Sequence, residues 1–193
     1  MILIIDNGSQ YTHLIKRNCR DMNYEAEIVD DRISLEEIIR KNPEKIILSG
    51  GPNSVYAPEE KRKINEKVIN AVFEEKLNIP LFGICFGHQL IAHILGGRVE
   101  RGISGEYGIA KIFIENEDLI FKGIPDEFNV WVSHFDEVKI LPNNFEILAH
   151  SQTCKIEAMK HKTKNIFSVQ FHPEVWHTEN GEKILENFLE IKK

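Results

Sequence analysis

Cysteine is scarce in this 193-residue chain. Its three cysteines, Cys19, Cys85 and Cys154, are odd in number and far apart. They form no Cys-x-x-Cys pair and no even framework, which excludes a disulfide-stapled secreted scaffold and points to a reducing, cytoplasmic setting. Long apolar runs are also missing. The opening run Met1–Ile5 is ended by Asp6, far too early for a signal peptide or a membrane span. Positive charge is in deficit: 24 Lys and Arg stand against 30 Asp and Glu, a net charge of -6. With no basic run longer than a few residues, neither a nucleic-acid groove nor an anionic membrane surface is a fitting partner. Phosphate loops are absent, since no Gly-x-Gly-x-x-Gly occurs and Ser49-Gly50-Gly51-Pro52 is not followed by Gly-Lys-Ser/Thr. Metal-ligand spacing is absent among His88, His93, His150 and His161. The His-x-Glu at 172–174 lacks the Pro-Cys-x-x-Cys that a zinc deaminase requires, so no metal is expected. Without repeats, low-complexity tracts or linkers, the length fits a single domain over 1–193.

What is present begins as alternating strand and helix. Ile2–Ile5 is a short continuous apolar run, the pattern of a buried parallel strand, and Glu25–Val29, Lys45–Leu48 and Leu81–Ile84 read as further short strands. Helices are expected over Tyr11 to Met22, after the capping box Ser34-Leu35-Glu36-Glu37 with its Ile33–Ile38 staple, through the stripe Ile64, Val68, Val72 and Leu77, and from Cys85 to Gly96-Gly97. After Gly97 the helices stop. Val99, Ile109–Ile114, Phe128–Val132, Val138–Leu141, Phe145–Ala149, Ile156–Lys160 and Ile166–Phe171 read as consecutive short strands, and Glu182–Ile191 as a terminal helix. The expectation is one α/β domain: a flavodoxin-like, mostly parallel sheet flanked by helices, with a small antiparallel extension.

The stretch Pro80-Leu81-Phe82-Gly83-Ile84-Cys85-Phe86-Gly87-His88-Gln89 carries the chemistry. A strand running into Gly-x-Cys-x-Gly and then a helix is the nucleophile-elbow layout, with Cys in place of Ser. The elbow would set the Cys85 sulfur at a helix N-terminus, where free N–H groups favour a thiolate. The plain alternative is a buried core cysteine. A thiol nucleophile needs a base, an orienter and oxyanion donors. Phe171-His172-Pro173-Glu174 offers His172 as base and Glu174 as its orienter, or else a surface histidine beside a turn. Ser49-Gly50-Gly51-Pro52 closes a neighbouring strand and offers a backbone N–H, as does Phe86 just after the nucleophile. Gln89, one helical turn beyond Cys85, shares its face and can reach a substrate over the thiol, or else simply face solvent. His88 points elsewhere and reads as structural.

Taken together and in this order, Gly-Ile-Cys-Phe-Gly-His-Gln, Ser-Gly-Gly-Pro and Phe-His-Pro-Glu resemble the class I, triad-type glutamine amidotransferases, and the resemblance runs from about Ile2 to Leu189. Asp6-Asn7-Gly8-Ser9-Gln10-Tyr11-Thr12, Ser133-His134-Phe135-Asp136-Glu137-Val138 and His172-Pro173-Glu174-Val175-Trp176-His177-Thr178 look like segments of the amidotransferase part of GMP synthetases. Phe86 departs from the Leu or Tyr common in relatives, harmlessly if only its N–H is used. The resemblance implies Cys85 as nucleophile, His172 as acid/base, Glu174 as orienter, and Gly51 and Phe86 as a backbone oxyanion hole. It implies that Gln89, with the backbone around Ser133, His134, Phe135 and Asp136, holds glutamine. The chain lacks the Ser-Gly-Gly-Val-Asp-Ser loop of an ATP-pyrophosphatase domain. The implied arrangement is therefore a separate glutaminase subunit, without a cofactor of its own, that feeds ammonia to an ATP-pyrophosphatase subunit carrying ATP and Mg. A glutaminase subunit of the anthranilate or aminodeoxychorismate type, a stand-alone γ-glutamyl hydrolase, and an inactive regulatory module on the same fold remain the alternatives.

Overall fold

β1 (Ile2–Asp6), α1 (Thr12–Asp21), β2 (Ala26–Asp30), α2 (Leu35–Lys41), β3 (Lys45–Leu48), α3 (Lys63–Phe73), β4 (Leu81–Ile84) and α4 (Phe86–Ile94) alternate strictly. β5 (Arg98–Ile114), β6 (Glu127–Ile140), β7 (Phe145–His150), β8 (Ala158–His161) and β9 (Ile166–Val169) follow, interrupted only by a 3-10 turn at Leu119–Phe121, and α5 (Gly181–Glu190) comes last. This is a computed structural model that describes residues 1–58 and 63–192, without the side chains at 103 and 104. All nine strands among the described residues join one sheet, ordered β2-β1-β3-β4-β9-β8-β7-β5-β6. β2, β1, β3, β4 and β9 run parallel, while β8, β7, β5 and β6 continue the sheet antiparallel. The antiparallel part thus holds four of the nine strands, more than a small extension.

Strand alternation splits the core into two layers. Ile2, Ile4, Phe82, Ile84 and Phe167 face α1 and α5, where Phe82 stacks on Phe188 at 4.9 Å. Leu3, Ile5, Ile46, Leu48 and Leu81 face α2, α3 and α4. Local signals set the helix ends. The Ser34 hydroxyl accepts from the Glu37 N–H at 3.1 Å and the Ser34 N–H donates to the Glu37 carboxylate at 2.9 Å, so the expected capping box forms. α4 ends where Gly96 takes φ +92°, and the Gly97 N–H donates to the Ala92 carbonyl at 2.8 Å. α3 stops short of Leu77, because Glu75 turns left-handed at φ +61° and the Leu77 N–H folds back onto the Ala71 carbonyl. Leu77 still packs on the core, from outside the helix.

Three readings of the second half change. Val99 and Ile109–Ile114 belong to one 17-residue strand, β5, and Phe128–Val132 and the expected strand from Val138 to one 14-residue strand, β6, which ends at Ile140, one residue before Leu141. The two pair from Arg98 opposite Ile140 to Phe113 opposite Glu127, with register shifts between Arg98 and Val99 and between Arg101 and Glu106. The break in apolar alternation at Ser133–Asp136 marks the side of a cleft, not the end of a strand. The strand read at Ile156–Lys160 starts at Ala158.

Candidate active site

In an open α/β sheet, ligands meet the carboxyl ends of the parallel strands. Four such ends converge here: Asp6–Gly8 after β1, Ser49–Gly51 after β3, Cys85 after β4 and Gln170–His172 after β9. Cys85 is held at φ +51°, ψ -101°, outside the regions that L-residues favour. Such a conformation costs about 1–3 kcal/mol and persists only where the surroundings over-determine it. They do so here. A Cβ on Gly83 would lie 2.6 Å from the Gly87 carbonyl oxygen, and one on Gly87 would lie 2.6 Å from that of Leu48. The Cys85 N–H is tied to the Val169 carbonyl at 2.8 Å, and its own carbonyl accepts the first helical bond, from the Gln89 N–H. Phe86, the first residue of α4, has no carbonyl partner for its N–H within the helix.

Around the sulfur, the Gln170 amide donates to Sγ at 3.6 Å and the Ser133 carbonyl lies at 4.0 Å. His172 Nδ1 meets Glu174 Oε1 at 2.9 Å, with both residues buried. Burial opposes a charge on the ring. The Glu174 carboxylate, then Cys85 and its hydrogen bond, more than offset this and hold the imidazolium well above the usual histidine range. The His172 main chain is fixed by its N–H to the Trp131 carbonyl and by the Thr178 hydroxyl, which donates to the His172 carbonyl at 2.6 Å. Tyr11 packs edge-on against the ring at 5.1 Å. A Cβ on Gly50 would sit 3.2 Å from His172 Cε1 and 3.5 Å from the Cys85 Cβ, so the thiol and the ring close over this glycine. The Ser49–Gly51 loop is braced by Asn7, whose N–H and side-chain amide donate to the Ser49 hydroxyl and carbonyl. Gly51 packs so closely that a Cβ would come within 2.4 Å of the Asn7 carbonyl oxygen.

The cleft has two lobes sharing Cys85, Gly51 and Ser133. One, of about 330 Å³, extends to Gly8, Tyr11 and His172. The other, of about 270 Å³, extends to Gln89, Tyr107 and the 133–136 segment. Gln89 does not reach out with its amide nitrogen. That group donates inward, to the Asp136 carbonyl at 2.7 Å and to Gln170 Oε1 at 3.1 Å, leaving Gln89 an acceptor oxygen at the cleft. The His134 ring is buried and engaged at both nitrogens, by the Asp136 carbonyl and by Glu106. Phe135 is half exposed against Tyr107.

His88 is structural as expected. It is fully buried against Ser168, and burial, with His134 nearby, pushes it down to about 3. Cys19 is buried on α1 and its thiol is pushed up to about 11. Burial drives that of Cys154 higher still. Gln170, Asn7 and Tyr11 were missed as site residues. Gln170 left one trace in the sequence: a polar residue inside the apolar run Ile166–Phe171, two positions before His172 and so on the same side of an extended chain.

A sheet that delivers a cysteine to a glycine-flanked elbow, beside a histidine oriented by a carboxylate, defines the triad-bearing α/β class. Within that class the chain belongs to the class-I glutamine amidotransferase family, whose model matches residues 3–191. It is 50% identical over 191 residues to a glutamine-hydrolyzing GMP synthase subunit of Pyrococcus abyssi, covering 99% of this chain and 98% of that one. It is 48% identical over 192 residues to the protein of the same name from Methanocaldococcus jannaschii, covering 99% and 97%. Among solved structures, a candidate GMP synthase subunit from Thermoplasma acidophilum superposes with a TM-score of 0.88 at 35% identity, covering 97% of this chain and 91% of that one.

Proposed function

We propose that this chain is the glutaminase subunit of a GMP synthetase. It hydrolyses glutamine to glutamate and ammonia, and passes the ammonia to a separate ATP-pyrophosphatase subunit that aminates xanthosine monophosphate. The observation that carries the reading is Cys85 on its strained elbow beside the buried His172–Glu174 pair. Cys85 attacks the side-chain amide carbon of glutamine, and the oxyanion forms against the Gly51 and Phe86 N–H groups. The His172 imidazolium protonates the leaving amine, ammonia departs, and a γ-glutamyl thioester remains on Cys85. The neutral ring then draws a proton from water, which attacks the thioester and releases glutamate. Gln89, Ser133, His134, Phe135 and Asp136 frame the amino-acid end of the substrate. ATP and Mg belong to the partner, and this chain uses no cofactor of its own. The setting is cytoplasmic; among the described residues no helix is long and apolar enough to cross a membrane. The test is Cys85→Ala in the reconstituted pair. Glutamine-dependent product formation should vanish while synthesis from added ammonium persists. Near-wild-type turnover of glutamine would end the proposal.

The partner-facing surface is read at Trp176. Of the segment 175–178, Val175 and Thr178 turn inward and are buried. Trp176 is 86% exposed, so it does not cover α5 at Phe188. It stacks on His177 at 3.7 Å, beside a groove of about 340 Å³ between α1 and the chain from Pro173 to Glu182. Exposed aromatics of this kind anchor interfaces. The groove backs onto Glu174, whose carbonyl accepts from Asn18 of α1 at 3.1 Å. Trp176→Ala should leave melting and basal glutaminase activity unchanged and weaken partner binding at least tenfold. Lost stability with intact binding would place the interface elsewhere.

A further inference from the structure

Behind the cleft lies a second polar cluster that the chemistry above does not use. Glu106 on β5 stands opposite His134 on β6, and the next pair, Tyr107 and Ser133, lines the cleft. In an antiparallel pair, successive positions face opposite sides of the sheet, so the Glu106–His134 pair stands behind the Tyr107–Ser133 pair, with His134 also reaching the edge of the cleft. Glu106 Oε2 meets His134 Nε2 at 3.0 Å, and Oε1 accepts from the Ser151 hydroxyl at 2.8 Å and from that of Thr153. Glu157 is fully buried, with His134 Nε2 3.9 Å from one oxygen and the Ser151 hydroxyl and Cys154 thiol as further neighbours. Its carboxylate lies within 4.8 Å of that of Glu106. Two carboxylates in apolar surroundings share a site only with a proton between them. The environments divide the roles. Burial disfavours charge on both, but the four hydrogen bonds from His134, Glu157, Thr153 and Ser151 hold Glu106 down to about 2, whereas burial and then Glu106 itself raise Glu157.

The cluster reaches the nucleophile through consecutive hydrogen bonds. His134 Nδ1 donates to the Asp136 carbonyl at 3.1 Å, which also accepts from Gln89 at 2.7 Å. Gln89 bonds Gln170, and Gln170 donates to Cys85 Sγ. We propose that Glu106 is the positioning residue of the glutamine pocket: its carboxylate, with Glu157 beside it, holds His134 and thereby the Asp136 carbonyl and Gln89 in the geometry that receives the substrate. Glu106 touches neither thiol nor substrate. It acts on binding.

The inference rests on the glutaminase reading, and its test separates the two. Two substitutions of identical chemistry should differ. Glu157→Gln supplies a neutral donor to Glu106 and should leave KM for glutamine within about twofold. Glu106→Gln presents an amide N–H₂ where His134 or the two hydroxyls need an acceptor. It should raise KM about tenfold, equivalent to about 1.4 kcal/mol, with kcat within about twofold. Alkylation of Cys85 by iodoacetamide, which needs no glutamine pocket, should be unchanged in both variants, whereas labelling by a glutamine-shaped diazo-ketone should slow about tenfold in Glu106→Gln alone. If Glu106→Gln does not fold, the double variant Ser151→Ala, Thr153→Val removes two donors to the same carboxylate and should raise KM about threefold. Unchanged KM in the Glu106 variants, or damage from Glu157→Gln equal to that from Glu106→Gln, overturns the assignment. The Cys154 sulfur lies within 4.8 Å of both carboxylates. One equivalent of tightly held metal in the purified protein would therefore overturn it too. Failure of the wild-type chain to release ammonia or take the diazo-ketone label would strike the glutaminase reading instead.

Discussion

The substitution Glu174→Gln isolates what a carboxylate does for a buried base. In the folded chain His172 and Glu174 are 4% and 5% exposed and meet at 2.9 Å, so solvent screening takes little away. A hydrogen bond to a charged group contributes about 1.5–3 kcal/mol and a neutral one about 0.5–1.5. Glutamine keeps an acceptor oxygen for Nδ1 and loses only the charge, a difference of about 1–2 kcal/mol. That predicts a fall in glutaminase kcat of about five- to thirtyfold. His172→Ala, which removes the acid/base altogether, should cost about 10²–10⁴-fold. Steady-state ammonia release by the assembled enzyme measures both. Stability supplies a second reading, with a definite sign. Because the folded-state pKa of His172 is raised, its contribution to stability is fully present below the unfolded value of about 6.5 and is lost as pH rises through the folded value. The gap in melting temperature between wild type and Glu174→Gln should be widest on the acid side of neutrality and close as the pH is raised. A folded Glu174→Gln as inert as Cys85→Ala would mean that Glu174 takes part in bond making, and an undiminished kcat would mean that it does not support the base at all.

Two further outcomes follow from the same geometry. Gly50→Ala places a methyl 3.2 Å from His172 Cε1 and 3.5 Å from the Cys85 Cβ in a buried site; stability should fall by about 1–3 kcal/mol, as overpacking usually costs, while kcat/KM drops about tenfold or more because base and thiol are wedged apart. Unchanged kcat/KM would show that the two do not close over Gly50. A glutamine-shaped diazo-ketone should label Cys85 and spare Cys19 and Cys154, whose buried thiols are held in the protonated form; peptide mass spectrometry showing the label on either of the latter would refute the site.

What the sequence discloses about this site is what local geometry determines. Gly-x-Cys-x-Gly specifies an elbow because the two glycines pack against backbone that any Cβ would strike. The capping box is legible because its partners lie three residues apart. The His172–Glu174 pair is legible because two residues of extended chain with a proline between them leave the side chains few ways to miss each other. Gln170 with Cys85, Asn7 with Ser49 and Glu106 with His134 are separated by 85, 42 and 28 positions. Their pairing depends on strand order and on the β5–β6 register, which no local pattern encodes. Trp176 and Thr178 show the same limit at short range. Both follow the triad acid, and only the fold decides that the hydroxyl turns in to bridge His172 and Trp131 while the indole turns out.

The two halves of the site are held by different kinds of restraint, and this bears on how a docked partner works. Cys85 is locked from both sides of the sheet, by Val169 on the neighbouring strand and by the glycine contacts of β4 with α4 and β3 with α4. Gly51 is clamped on Asn7, which Asn65 of α3 braces in turn at 2.7 Å. The proposed nucleophile and oxyanion wall are therefore parts of the core. The base is different. His172 and Glu174 lie beyond the end of β9, and the side-chain anchors of their loop, Asn18 and Thr178, come from α1 and from the loop itself. Those anchors flank the groove beneath Trp176. Moving the nucleophile would mean breaking the sheet, whereas moving the base means shifting a short loop held by hydrogen bonds to α1 and to β6 at Trp131. Under the proposed docking on Trp176 and α1, the partner would adjust the imidazolium toward a fixed thiol, and its stimulation should appear in kcat, with the affinity for glutamine set separately by the Glu106 hub.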